Sequence, residues 1–264
     1  MKINEISDLI RTVASAEINP RFRNLREDEV VYKEPDEFVT AADLAVEFAL
    51  IDGLRKLYPQ AVVTGEEDVS KNPMRLVELL DADSGFLMDP IDGTNNFIKG
   101  NERFAVMVAA LVHGKVIASW IYLPVHDIMA VAEKGAGAFF NGERMRVEPA
   151  PINLSDLIGA AHTNRMPEKD RIVVRENLKL IKINKPSFCA GYDYVALTKS
   201  ETHFSSYHRT LLWDHLPGTF LYSKAGGYVR GLDGKPYTSR SDGNGLLSAP
   251  DKDTWQLLRK AIYL

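Results

Sequence analysis

Asp89 and Asp92 stand three positions apart in MDPIDGTNNF (88–97), with Pro90 between them and Gly93-Thr94 directly after. Asp, Gly and Pro are also ordinary turn residues, through their special backbone angles and local side-chain hydrogen bonds. One acidic turn alone therefore implies no chemistry, but two further segments have the same shape. VVTGEED (62–68) carries Glu66, Glu67 and Asp68 after an apolar run, and LLWDHLPG (211–218) carries Asp214 after an apolar triplet. α/β proteins build their sites where buried strands end. Carboxylates gathered there repel one another unless cations neutralise them. An all-oxygen donor set suits Mg²⁺, Mn²⁺ or Ca²⁺ rather than Zn²⁺, and one cysteine with six scattered histidines offers no zinc spacing. Such a cage suits phosphate-ester hydrolysis, which needs positioning and charge neutralisation more than covalent work. Two metals about 4 Å apart can clamp the attacking and leaving oxygens of an in-line displacement.

These acids need strands and helices to hold them. The N-terminus, MKINEISDLIRTVASAEINP, reads as a helix of the mature protein, because acids interrupt any signal-peptide core. TAADLAVEFALIDGLRKL (40–57) reads as a helix with an apolar stripe of Leu44, Phe48, Ile51 and Leu54. GFLMDP reads as a buried strand ending at Asp89. Residues 104–142 read as a β-meander broken at His113-Gly114, at Pro124 and around Gly135. Beyond residue 150 the texture alternates: a strand in LIGAAHT, helices near 167–180 and 190–199, and a strand in THFSSY. A helix from Asp214 to Ala225 follows, stopped by Gly226-Gly227. A strand in GLLSAP and a last helix over 251–262 complete the chain. The expected division is an α+β lobe over 1–150, with most of the acids, and an α/β lobe over 151–264.

Local alternatives exist at several positions. Asp214 could be a helix N-cap. TAAD has the capping-box pattern, with Thr40 as cap and Asp43 as its reciprocal acid. Glu67 and Asp68 read as solvated neighbours, and His203 and His208 as surface or packing residues. GAGAFFNG (135–142) lacks the dinucleotide fingerprint and reads as a hairpin turn. Nothing marks Cys189 as a nucleophile.

The 264 residues suffice for one large domain or two small lobes. Apolar residues make up 45% and charged residues 26%, as in globular proteins. No run of about 18 apolar residues is present, so no membrane span is expected. The single cysteine permits no internal disulfide and suits a reducing cytoplasm. A net charge of −4 without a basic stripe argues against direct nucleic-acid binding. An acidic protein that handles phosphate needs local positive charge, which bound metal would provide.

In GEED (65–68), DPIDGT (89–94) and WD (213–214) followed by AGG (225–227), the chain resembles the inositol monophosphatase family, magnesium-dependent and lithium-sensitive phosphatases. The bacterial branch known as inositol monophosphatase or extragenic suppressor is the most similar. The resemblance spans nearly the whole chain and implies a layered α/β/α/β/α fold, with an N-terminal antiparallel sheet and a C-terminal mixed sheet. It implies that Glu66, Asp89 and the carbonyl of Ile91 hold a first Mg²⁺. Asp89, Asp92 and Asp214 hold a second, and a weaker third lies near Glu66. Mn²⁺ is a possible substitute; Li⁺ or Ca²⁺ would inhibit. Thr94 with Glu66 orients the attacking water, Asp43 hydrogen-bonds Thr94, and the amides of Gly93 and Thr94 meet phosphate oxygens. Gly93 suits that approach because it carries no Cβ, and Thr94 can start a helix whose first amides attract an anion. A homodimer is also implied.

The substrate side departs from the family pattern. Many inositol-cleaving members carry an acid seven residues before the last metal-binding Asp, where this chain has Tyr207. The family's GSAA loop is FCAGYD (188–193) here, placing Cys189 and Ala190 near the substrate. A site that loses a hydroxyl-bonding group discriminates weakly. Inositol monophosphate is the expected substrate, with histidinol phosphate and 3′-phosphonucleotides as alternatives. A regulatory, protein-binding role in bacterial RNA synthesis or processing is an alternative of another class. A passive Ca²⁺ binder is disfavoured, since no EF-hand loop is present.

Overall fold

The computed structural model describes residues 1–34, 37–241 and 243–264. Helix α1 (Ile3–Val13) runs on through a wider π-type turn, Ala14–Ile18. A hairpin of β1 (Val30–Glu34) and β2 (Glu37–Thr40) leads into α2 (Ala41–Leu57). β3 (Val62–Gly65), α3 (Glu66–Lys71), α4 (Met74–Asp81), β4 (Ser84–Asp92) and the short α5 (Thr94–Ile98) follow. The meander comprises β5 (Ala105–Val112), β6 (Lys115–Leu123), β7 (Ile128–Glu133), β8 (Gly137–Phe140) and β9 (Glu143–Met145). The remaining chain forms β10 (Ile158–Ala161), α6 (Glu168–Asn177), β11 (Ile183–Asn184), α7 (Ala190–Thr198) and β12 (Phe204–Arg209). It closes with α8 (Leu212–Lys224), β13 (Tyr228–Gly231), β14 (Asn244–Ala249) and α9 (Lys252–Leu258).

Two sheets organise these elements. One has seven strands in the order β3-β4-β5-β6-β7-β8-β9; the other has five, β11-β10-β12-β14-β13. α1 and α2 cover the outer face of the first sheet, α7 and α8 fill the space between the sheets, and α6 and α9 cover the outer face of the second. This is the layered α/β/α/β/α arrangement. Being covered on both faces explains why β4 and β5 are almost continuously apolar and buried rather than alternating. The second sheet is mixed, as expected: β11-β10-β12 is parallel and β12-β14-β13 antiparallel. The first is antiparallel except at its edge, where β3 pairs parallel with β4 because the connection through α3 and α4 carries the chain back to start in the same direction.

Three local expectations are corrected. The buried face of α2 is Ala42, Asp43, Val46, Glu47, Leu50 and Leu54, not the Leu44–Phe48–Ile51–Leu54 stripe; Phe48 is 77% exposed. Two carboxylates lie on the core face, so the acids do not mark the solvent side. β4 does not stop at Asp89 but continues to Asp92 through a bulge: Asp89 pairs with Met107 and Asp92 with Ala105, so the β4 side holds one residue more. Pro90 sits in that bulge, where its missing N–H costs no ladder bond. Finally, α8 starts at Leu212, so Asp214 lies inside the first turn and is not the N-cap.

The corrected face of α2 has a direct consequence. Leu50→Ala is expected to cost about 2–5 kcal/mol, the range for emptying a buried leucine site. Phe48→Ala should stay within about 0.5 kcal/mol, as surface changes do. Urea unfolding of the two variants checks this, and comparable losses would restore the other stripe.

Candidate active site

β4 delivers Asp89 into the interior, where it is 2% exposed. Its Oδ1 is buried with no hydrogen-bond partner among the described residues. Burial, and then the charges of Glu66, Asp92, Asp214 and Asp43, push its carboxyl well above the usual carboxylate range. Three chain segments thus converge on Asp89: the start of α3, the β4 bulge with the turn after it, and the first turn of α8. A fourth, α2, contributes Asp43.

The bulge places Asp92 beside a second loop. Its Oδ2 accepts from the Gly191 amide (2.6 Å) and the Cys189 thiol (3.0 Å). Burial raises Asp92, opposed by these bonds and by the Ala190 amide. Cys189 also caps α7, its Sγ accepting from Tyr192 N at 3.3 Å. Burial pushes its thiol well up, with the Asp92 charge adding to that. Cys189 is therefore a protonated donor holding Asp92, and Ala190 reaches the same carboxylate through its amide.

Gly93 turns the chain with φ +85°, and a Cβ there would sit 3.0 Å from both Arg103 O and Cys189 Cβ. A side chain is thus disfavoured twice, by the left-handed backbone and by space. α5 begins at once, with Thr94 at its first position. Thr94 Oγ1 lies 3.0 Å from Ile91 O and 3.4 Å from Asp43 Oδ1.

Asp43 fulfils both of its expected parts. Its Oδ2 accepts from Thr40 N (2.7 Å) and Thr40 Oγ1 (2.5 Å), and its own amide donates back to Thr40 at 3.3 Å, closing the capping box. The other oxygen meets Thr94.

Glu47, one helical turn after Asp43, went unremarked in the sequence. It accepts the amides of Glu67 (2.9 Å) and Asp68 (2.8 Å), anchoring the first turn of α3 and hence Glu66. Burial pushes its carboxyl up to about 7. The usable signal was two acids at an i, i+4 spacing on one helix. Glu67 is buried, not solvated as expected, and Asp68 bonds Thr64 and Arg75.

Tyr207 is buried, and its hydroxyl donates to Asp193 Oδ2 at 3.3 Å. Its ring lies between two imidazoles, His162 (centroids 4.6 Å) and His215 (4.4 Å). Burial pushes His215 down to about 3, so it is neutral and can accept at Nδ1 from Tyr194 OH at 3.2 Å. His203 is a packing residue, Nδ1 accepting from Ile158 N. Neither His162 nor Asp193 was singled out in the sequence, and their partnership spans 31 positions.

The donors fit hard cations. They are carboxylates and one main-chain carbonyl, they burden one another electrostatically, and the most buried has an oxygen with no hydrogen-bond partner among the described residues. Among the described residues, no three acidic, histidine or cysteine side chains close on one point as a finished ligand shell. Glu66, Asp92, Asp214 and Asp43 each act electrostatically on Asp89. Among the described residues no helix is long and apolar enough to cross a membrane.

Comparison with known proteins identifies the family of the chain. The model of the inositol monophosphatase family matches residues 3–262. The Nus factor SuhB of Escherichia coli K12 is 31% identical over 217 residues, covering 78% of this chain and 76% of that protein. Inositol monophosphatase 1 of Bos taurus is 28% identical, covering 89% and 85%. The crystal structure of the extragenic suppressor protein SuhB from Bartonella henselae superposes with a TM-score of 0.80 at 25% identity, covering 99% of this chain and 95% of that one. The chain belongs to the inositol monophosphatase family.

Proposed function

We propose that this protein is a Mg²⁺-dependent phosphomonoesterase acting on small phosphorylated metabolites, with inositol monophosphate the first candidate. The observation that carries this is Asp89: a buried carboxylate with an unpartnered oxygen, ringed by other acids, costs stability unless cations sit beside it. Glu66, Asp89 and the Ile91 carbonyl would hold one Mg²⁺; Asp89, Asp92 and Asp214 would hold the other. The bound ions would supply neutralisation of phosphate charge and a more acidic water.

The chain's own residues do the rest. Thr94 Oγ1, held near Asp43 and the Ile91 carbonyl, orients the attacking water together with Glu66. As the water oxygen bonds to phosphorus, the bond to the substrate's alcohol breaks, and the water's proton passes toward Glu66. The Gly93 and Thr94 amides face phosphate oxygens at the start of α5. A protein-binding role in RNA synthesis stays as a second reading; it is supported by relatives that bear the name Nus factor.

Phosphate release from inositol 1-phosphate, histidinol phosphate and 3′-phosphoadenosine 5′-phosphate, with Mg²⁺ and with EDTA, is the primary test. Release with Mg²⁺ that EDTA abolishes is expected; a folded, Mg²⁺-binding protein inert on all three would favour the second reading.

Asp89→Asn carries an opposite pair of effects. A carboxyl raised in the folded state binds its proton more tightly there than unfolded. Metal-free stability therefore falls as pH rises above about 3.9, the unfolded aspartate value, toward the raised folded value. At pH 7 the variant should melt higher than the parent in EDTA, yet lose activity by about a hundred- to a thousandfold, the size of losing one preorganised source of charge stabilisation, here through a lost cation ligand. Calorimetry in EDTA alongside the assay checks both. A variant that melts lower would contradict the electrostatic account.

The Cys189 series separates donor from volume. Cys189→Ser keeps a donor to Asp92 and should need nearly the same Mg²⁺ concentration. Cys189→Val keeps bulk without the donor and should need about 10-fold more or beyond, the size of losing a group that orients a ligand. Mg²⁺ titration of activity distinguishes them, and equal midpoints would show that the thiol–carboxylate bond does not matter.

A further inference from the structure

We propose that Phe188 and His162 form an aromatic wall against which the leaving group packs, and that preferred substrates are phosphate monoesters whose alcohol carries a flat, unsaturated ring. This rests on the phosphatase reading but not on its first candidate, replacing a polyol monophosphate by this class.

Phe188 is 57% exposed and has φ +61°, a left-handed conformation that a bulky residue adopts only at a cost in energy. A lone exposed apolar side chain is ordinary. One locked into strained backbone by its surroundings points to function. Asn96 Nδ2 lies 3.0 Å from Ser187 O and 3.4 Å from Phe188 O; Ser187 Oγ donates to Cys189 O at 2.8 Å, and Ser187 N donates to Asp193 Oδ1 at 3.0 Å. The next residue, Cys189, bonds Asp92, so the Phe188 backbone is one residue from a direct contact with the acidic site.

The His162 ring lies edge-on to Phe188, with centroids 5.8 Å apart, and stacks on Tyr207 behind it. Its side chain is 19% exposed, whereas that of Asp193 is 4%. Asp193 Oδ2 pairs with His162 Nε2 at 2.5 Å and takes the Tyr207 hydroxyl as well, fixing the imidazole in place. Asp193 is thus spent on protein partners, and no described contact of this wall presents an acid to a hydroxylated ring, as an acid in place of Tyr207 would. What remains is an aromatic edge and face, which suit a π-system more than a polyol.

The test uses a matched pair, benzyl phosphate and cyclohexylmethyl phosphate, which differ only in ring unsaturation. The wild type should favour benzyl phosphate in kcat/KM by about tenfold, the size of one ring-stacking contact. Phe188→Gly removes the ring and relieves the left-handed strain together, so loss of folding does not confuse the result, and a melting curve verifies that. It should bring the ratio close to one through KM, Phe188→Tyr should keep it, and His162→Asn should lower it. A wild-type ratio near one, or a ratio untouched in Phe188→Gly, would overturn the aromatic wall, as would turnover of inositol 1-phosphate with neither ring ester hydrolysed. If no ester is hydrolysed with Mg²⁺, inositol 1-phosphate included, the phosphatase reading fails, and the wall is judged by NMR of the His162 ring. Shifts with benzyl phosphate but not its saturated partner would sustain it; shifts with neither would overturn it.

Discussion

The constraint on which the rest of the structure depends is the burial of Asp89 among other carboxylates. A charge taken out of water must find partners or a proton, and its neighbours here have the wrong sign. The scaffold pays for holding them together with unusually firm anchors. The β4 bulge turns Asp89 and Asp92 to different tasks. α2 brings two acids inward and satisfies each with main-chain amides: Asp43 at Thr40, and Glu47 at Glu67 and Asp68. Those bonds offset desolvation at the supporting acids, whereas Asp89 keeps a buried oxygen with no hydrogen-bond partner among the described residues. Strain is thereby concentrated where a cation would relieve it.

The order of strands, the meander and the acids at 66, 89, 92 and 214 were legible because their signals are local. β-branched runs ended by Gly or Pro, and carboxylates just beyond apolar segments, need no knowledge of distant neighbours. α2 was not legible in the same way. Periodicity places apolar residues inward, and it found the stripe at 44, 48 and 51. The actual core face contains Asp43, satisfied by the adjoining helix cap Thr40, and Glu47, whose burial is made tolerable by amides in another segment. A buried, satisfied charge reverses the pattern on which such readings rest. The same limit hid Asp193 and His162. Each looks ordinary in sequence, and their meaning lies in a contact made only when α7 packs beside β10 and β12.

Cys189 shows how substrate recognition and hydrolytic chemistry can be joined yet separable. It caps α7, holds Asp92 and follows Phe188, so one residue ties the acidic site to the aromatic wall. The thiol suits this place because burial beside a carboxylate keeps it protonated and therefore a donor. On the first-sheet side, every group near Asp89 is constrained by electrostatics, and a substitution there alters the charge that the whole arrangement balances. On the α7 side, the groups are rings and a hydrogen-bonded His162–Asp193 pair, of which the Asp193 charge alone bears on Asp92. On the phosphatase reading, the uncharged residues at 188 and 207 can therefore vary and retune which alcohol leaves, while the geometry around phosphorus stays fixed. This accounts for a chain in which the acidic motifs follow their family closely and the departures gather on the substrate side.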